Sequence, residues 1–239
     1  MSKYFEELDY RPTPIGPLSL RRRRDFSLGI DIIEIILGEE HLMSSLFTAS
    51  EIALAELGLA ELSGTDLDVV VGGLGLGYTA QAVLSSKAVK SLIIVEALDA
   101  VIDWHQTGLL PLGKELTQDP RTQFVHGDFF KLAASTDGFD PGNKARKFDA
   151  VLVDIDHSPD FFLNPANEVF YQSEGLQKLL AHLKTGGVFG LWSNERPEET
   201  FLARLESVFG DVQAREVTFE NPLQAGREFT QTVYLGRKL

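Results

Sequence analysis

The stretch that most constrains the fold is Asp68-Val-Val-Val-Gly72-Gly73-Leu-Gly75-Leu-Gly77-Tyr-Thr-Ala-Gln-Ala-Val-Leu84. An apolar run that stops in closely spaced glycines and restarts in helix-compatible residues predicts the strand, tight turn and helix of a nucleotide-binding α/β unit. Glycines in the turn adopt backbone angles that a Cβ penalises, and those nearer the helix let a ligand approach the main chain. The helix is expected to begin near Gly77 or Tyr78, where free N–H groups meet an electronegative ligand group or a bound carboxylate. The Gly-Lys-Ser/Thr ending of a triphosphate-cradling loop is absent, which argues against an ATPase. Packing alone is the plainer use of such glycines.

Around this unit the chain alternates between strand and helix patterns. Strands are expected at 67–71, 89–96, 122–126, 148–154 and 188–192, with helices at 49–62, from the turn to about Lys87, at 97–105, 168–184 and 195–209. The unbroken apolar character of 92–95 asks for helices on both faces of a parallel sheet. Residues 212–235 read as two late strands, partly antiparallel. Ahead of the first helix, Pro12, Pro14 and Pro17 discourage a helix, and 15–20, 30–37 and 41–45 read as short antiparallel strands with a hairpin turn at 38–41. The expected division is a small N-terminal β region, 1–48, and a nucleoside-binding domain, 49–239. Thr48 or Ser50 is the expected cap of the first helix.

In a parallel sheet, ligands bind outside the carboxyl ends of the strands, which singles out three acidic positions. Glu96 ends the second central strand, where a carboxylate can accept bonds from both ribose hydroxyls of an adenosine ligand, each about 1.5–3 kcal/mol when charge-assisted. A capping or surface glutamate is its plainer reading. Asp128 follows strand 122–126 and can accept from an adenine amino group, with apolar neighbours supplying flat contacts. Asp154-Ile-Asp156-His157-Ser158-Pro159 gathers three titratable groups at the end of strand 148–154. Asp156 shares a face with Asp154 if the segment stays extended, and points into solvent if it turns. His157 reads as a base, a substrate hydrogen-bond donor or a loop residue.

With 22 Lys and Arg against 35 Asp and Glu, a formal charge of −13 disfavours non-specific binding to nucleic acid or an anionic membrane. The run Arg21 to Arg24 is the local exception. On an extended strand it points to both faces, which favours contacts with acidic neighbours. There is no cysteine, so disulfides, thiol catalysis and Cys-metal sites are excluded. Neither a closed zinc pattern nor a His-Glu-x-x-His helix appears, and no metal is expected. The polar, acidic residues 1–10 are unlike a signal peptide, and no apolar run is long enough to span a bilayer, so a cytoplasmic location is the default expectation.

Taken together, Gly73-Leu-Gly75-Leu-Gly77, Val95-Glu96, Asp119-Pro-Arg121, Gly127-Asp128, Asp154, Phe170-Tyr171 and Leu183-Lys-Thr-Gly186-Gly187 resemble the spermidine synthase, or polyamine aminopropyltransferase, family over most of the chain. The resemblance implies an α/β fold with a Rossmann-like, mostly parallel sheet of the adenosyl-transferase type, a small N-terminal β attachment and late antiparallel strands. It also implies a homodimer with contacts from the N-terminal region. Gly73, Gly75 and Gly77 would form the nucleoside-binding turn, Glu96 would hold the ribose, Asp128 and Phe129 would lie near the adenine, and Asp154 would stand by the reacting amine. Three positions differ. Leu76 stands where the family usually has an aspartate, Ala49-Ser50 where it has Tyr-His before Glu51, and Asp154-Ile-Asp156-His157-Ser158 where it has Asp-x-x-Asp-Pro.

The implied function is transfer of an aminopropyl group from decarboxylated S-adenosylmethionine, as co-substrate, to a polyamine-like amine, with Asp154, Asp156 and His157 as candidate catalytic groups. The alternatives are a small-molecule methyltransferase using S-adenosylmethionine, and a non-catalytic adenosyl-binding or dimeric interaction protein.

Overall fold

The computed structural model describes residues 4–224 and 226–239. The first residues of the acidic N-terminal segment, 1–3, and Ala225 within the late-strand segment lie outside the described residues.

The N-terminal region is a four-stranded antiparallel sheet in sequential order: β1 (Phe5–Thr13), β2 (Gly16–Asp25), β3 (Ile30–Leu37) and β4 (Glu40–Ser44). Strand β1 has no apolar alternation to announce it, because cross-strand charge holds it. Glu6 faces Arg22, Glu7 faces Arg21, and both pairs are ion-paired. Arg23 binds Glu34 at 2.8 Å and Arg24 binds Asp31 at 3.2 Å, so each arginine of the run has an acidic neighbour.

The main unit then runs α1 (Ala49–Ala60), β5 (Leu67–Gly72), α2 (Tyr78–Ser85), β6 (Val89–Glu96), α3 (Asp99–Gln106), α4 (Gly113–Gln118), β7 (Thr122–His126), α5 (Phe129–Ala134), β8 (Phe148–Val153), α6 (Ser173–Leu179), β9 (Leu183–Ser193), α7 (Glu199–Glu206), β10 (Gly210–Glu220) and β11 (Glu228–Arg237). Its seven-stranded sheet has the order β10-β11-β9-β8-β5-β6-β7. The five strands from β9 to β7 are parallel, and β11 and β10 add antiparallel at one edge. Leu92 and Ile94 enter the core on one face of β6 and Ile93 and Val95 the core on the other, which is why this strand reads as unbroken hydrophobicity.

Three boundaries differ from the sequence reading. The helix expected at 168–184 is a 3₁₀ turn (Pro165–Tyr171) followed by α6, and Lys184 already belongs to β9. Gly186-Gly187 does not separate two elements, since β9 runs through it and a register shift between Phe148 and Ala150 of β8 absorbs the irregularity. The helix expected at 195–209 is confined to α7. Thr48 precedes α1 without a side-chain cap bond, and Ser50 is turned inward to accept from Trp192 Nε1 at 2.8 Å.

Arg121 of the Asp119-Pro-Arg121 motif has a structural task. Its guanidinium is held by Asp119 and donates to the carbonyls of Leu84, Ser86 and Val89, closing the carboxyl end of α2 and the approach to β6. No helix among the described residues is long and apolar enough to cross a membrane.

After β5 the chain steps outward to β6 and β7, then crosses back to β8 and β9 on the other side. The crevice therefore opens over the carboxyl ends of β5 and β8. The N-terminal sheet roofs it: Leu18, Leu20, Ile33 and Ile35 join the same core cluster as Leu74 and Leu76 of the glycine turn.

Candidate active site

At that crevice lies a cavity of about 230 Å³, lined among others by Gly73, Gly75, Glu96, Asp128, Phe129 and Asp154. The ends of four strands thus contribute to one recess, and Ile35 and Met43 of the N-terminal sheet close it from above.

The turn is built for close approach. Gly73 has φ of 93°, and a Cβ there would lie 2.0 Å from the backbone oxygen of Asp154. Its amide donates to Val95 O at 2.9 Å, so the turn is tied to both neighbouring strand ends. Gly73→Ala is therefore expected to cost at least about 2 kcal/mol in a denaturant melt, from the left-handed backbone and the displaced end of β8 together. Gly77, φ 95°, stands behind the recess as the N-cap of α2, packed against Leu116 and His105, and does not line the cavity. Of the three glycines expected to form the nucleoside-binding turn, Gly73 and Gly75 line the cavity and Gly77 does not. Among the turn amides, Leu74 N donates to Glu96 and Leu76 N to Met43 Sδ.

Glu96 is the carboxylate that the turn binds. It accepts from Leu74 N at 2.9 Å on one oxygen and from Leu98 N at 2.8 Å on the other. Burial raises its pKa, and these amides work in the opposite direction. The amides of Gly75 and Ala97 also face this carboxylate, so the side chain pins the turn while lining the cavity where a ligand hydroxyl would arrive. Asp128 caps α5 by accepting from Lys131 N at 3.1 Å, and it pairs with Lys131 Nζ at the cavity rim. Phe129 is buried, stacked on Phe139 with centroids 5.1 Å apart, and shows the cavity only part of its ring. Phe130, half-buried beside it, is the more open flat surface.

Asp154 accepts from Thr79 Oγ1 at 2.7 Å, and Glu51, only 7% exposed, lines the same cavity. Desolvation lifts Asp154 to about 6. Desolvation and the Asp154 charge together lift Glu51 to about 8. The pair consequently retains a proton into the neutral range, held mainly by Glu51, with Asp154 as the anion. The folded chain keeps a proton that the unfolded chain releases above pH 4.5, so this contribution to stability is complete below that pH and is lost as pH rises through about 8. Glu51→Gln is expected to match the parent at pH 4.5 and to exceed it by on the order of 2 kcal/mol at pH 8.5, read from denaturant melts.

Glu51 and Thr79 were not among the residues singled out from the sequence for chemistry. Glu51 nevertheless shares one face of α1 with Leu54, Ala55 and Gly58. An acidic side chain on a buried stripe at i, i+3, i+4 and i+7 was the signal available.

Asp156 is the clearest correction. The extended geometry ends at Val153, the chain bends, and Asp156 turns away from the cavity to a site that is 1% exposed. There it accepts from Leu163 N at 2.7 Å, Asn167 Nδ2 at 3.0 Å and Tyr171 OH at 2.9 Å. It holds Leu163 and Asn167, which form part of the cavity wall, and does not itself line the cavity. His157 does line the cavity, at its edge. Nε2 is 2.9 Å from Glu40 Oε1 on the N-terminal sheet, and the ring stacks on Phe161.

Comparison with known proteins agrees with this architecture. The family described as the spermine/spermidine synthase domain matches residues 51–221. No protein of curated function matches the sequence. Among solved structures, a spermidine synthase in complex with the transition-state analogue AdoDATO aligns with a TM-score of 0.73 at 17% identity, over 98% of this chain and 74% of that one. The spermidine synthase of Thermotoga maritima aligns with a TM-score of 0.72 at 17% identity, over 98% and 73%. At such identity the likeness establishes the fold, an α/β unit with a mixed sheet.

Proposed function

The chain belongs to the spermine/spermidine synthase family, and on that premise we propose that its Rossmann-like core binds an adenosyl sulfonium donor, decarboxylated S-adenosylmethionine, and transfers the aminopropyl group to an amine. The observation that carries this reading is the convergence of Glu96, Asp128 and Asp154 on one cavity beside the glycine turn. Glu96 takes the ribose hydroxyls, and Asp128 takes the adenine amino group with Phe129 and Phe130 against the ring. The cationic sulfur and its aminopropyl chain then extend towards Asp154 and Glu51.

The reaction needs no covalent enzyme intermediate. The nitrogen lone pair of a neutral amine forms a C–N bond at the carbon next to sulfur, the C–S bond breaks, and its electron pair stays on sulfur as a neutral thioether. The new ammonium passes a proton to Asp154, whose raised pKa suits it to receive protons near neutrality. Thr79 orients that carboxylate, and the roof formed by Ile35 and Met43 limits water at the electrophilic carbon.

The reading extends to a homodimer through the N-terminal sheet, on which Tyr10, Phe26 and Ile30 are exposed. The chemistry is tested by incubating the chain with decarboxylated S-adenosylmethionine or S-adenosylmethionine and a panel of amines, and resolving products by mass. An aminopropyl gain supports the proposal. A methyl gain supports the methyltransferase reading in its place. Donor binding with neither product across the panel supports an adenosyl-binding protein without turnover.

A further inference from the structure

A second cavity, of about 480 Å³, adjoins the first between the β3–β4 hairpin and the loops that follow β8 and β9. The two share Leu42, Met43, Glu51, His157 and Trp192, so a molecule reacting at Asp154 has this space to extend into. The charges along that path are unevenly available. Glu34 is held by Arg23 at 2.8 Å and faced by His41 at 3.4 Å, and Glu40 is held by His157 at 2.9 Å. Glu195 stands on the exposed rim, where water screens it. The buried anionic anchor is therefore the Glu51–Asp154 pair at the neck, which carries one negative charge between its two carboxyls. Ser50 Oγ lies 2.8 Å from one oxygen of Glu51 and 2.5 Å from Gln231 Oε1, between which its single hydrogen is shared, and Asp154 lies beyond Glu51.

Past the neck two flat apolar surfaces stand among polar side chains: the Trp192 indole, and the Phe161 ring, 57% exposed and stacked on His157. The position at which the resembling family carries a second aspartate is thus an imidazole already engaged with Glu40. A second ammonium on the acceptor would meet carboxylates already shared with Arg23, His41 and His157 or, at Glu195, screened by water, whereas an aromatic ring would find two stacking surfaces. Resting on the aminopropyl-transfer reading, we infer that the acceptor is an arylalkyl monoamine, its nitrogen between Glu51 and Asp154 and its ring in the second cavity against Trp192 and Phe161.

Calorimetric titrations of the full chain test this, first with 5′-methylthioadenosine and then, at saturating nucleoside, with 2-phenylethylamine and 1,4-diaminobutane. The expected result is binding of 2-phenylethylamine at least about tenfold tighter than 1,4-diaminobutane. Phe161→Ala is expected to weaken the aryl amine about fivefold with little change for the diamine, and His157→Asp to shift the preference towards the diamine by about tenfold. Equal or tighter diamine binding by the parent overturns the inference, as does an aryl amine affinity indifferent to Phe161→Ala. Nucleoside binding with no binding of either amine overturns the inference alone. Failure to bind the nucleoside overturns the donor reading itself, and the inference with it.

Discussion

Asp154→Asn is expected to lower kcat by about 10²–10⁴-fold while changing donor affinity by no more than a few-fold. The asparagine keeps the size of the side chain and an oxygen for Thr79 Oγ1, which donates to Asp154 at 2.7 Å, so the local packing survives. What it loses is the ability to take a proton from the attacking nitrogen. Because burial has raised Asp154 to about 6, the parent's kcat is expected to climb as pH rises through that value and the asparagine variant's to lack that limb. Single-turnover rates over a pH series, with donor affinity measured separately, check both halves. An affinity loss as large as the rate loss would place Asp154 in ground-state binding.

The second large effect is expected at the opposite side of the recess. Glu96→Ala removes two ligand bonds worth about 1.5–3 kcal/mol each when charge-assisted, and is expected to weaken the nucleoside by on the order of 10²–10³-fold. It also strands the amides of Leu74 and Leu98, which donate to this carboxylate at 2.9 and 2.8 Å, so the melting temperature is expected to fall as well. Glu96→Gln separates the two effects. Its remaining carbonyl oxygen can serve one amide or one hydroxyl fully, and intermediate losses in both affinity and melting temperature are expected. Equilibrium titration with 5′-methylthioadenosine, which has the ribose but no sulfonium charge, isolates the contribution of the hydroxyls.

The parts of this site that were legible in the sequence are those fixed by backbone chemistry. The glycine turn announces itself because Gly73 must be left-handed and lies against the backbone of Asp154, and strand ends are readable because β5, β6 and β8 are apolar up to their last residues. Side-chain direction beyond a strand end was not legible. Asp156 sits two residues from Asp154, yet the period of two holds only while the strand lasts, and its partners come from the following loop, Leu163, and from the 3₁₀ turn, Asn167 and Tyr171.

Contributions from the N-terminal sheet were hidden for a different reason. Nothing local to Met43 or Glu40 indicates that the first will cap the amide of Leu76 or that the second will reach His157, 117 residues away. Glu51 was obscured by an ordinary explanation, since an acidic residue in the first turn of a helix is favoured by the helix dipole whether or not it has further work. The cavity shows that it has: the same residue faces Asp154 and stands where the two recesses meet.

The most direct test of the account is a crystal structure of the chain with decarboxylated S-adenosylmethionine bound. Both ribose hydroxyls are expected on Glu96, the adenine edge at Asp128, and the carbon next to sulfur on the side of Asp154. A nucleoside bound elsewhere, or seated with its ribose away from Glu96 and its sulfur turned from Asp154, would contradict it.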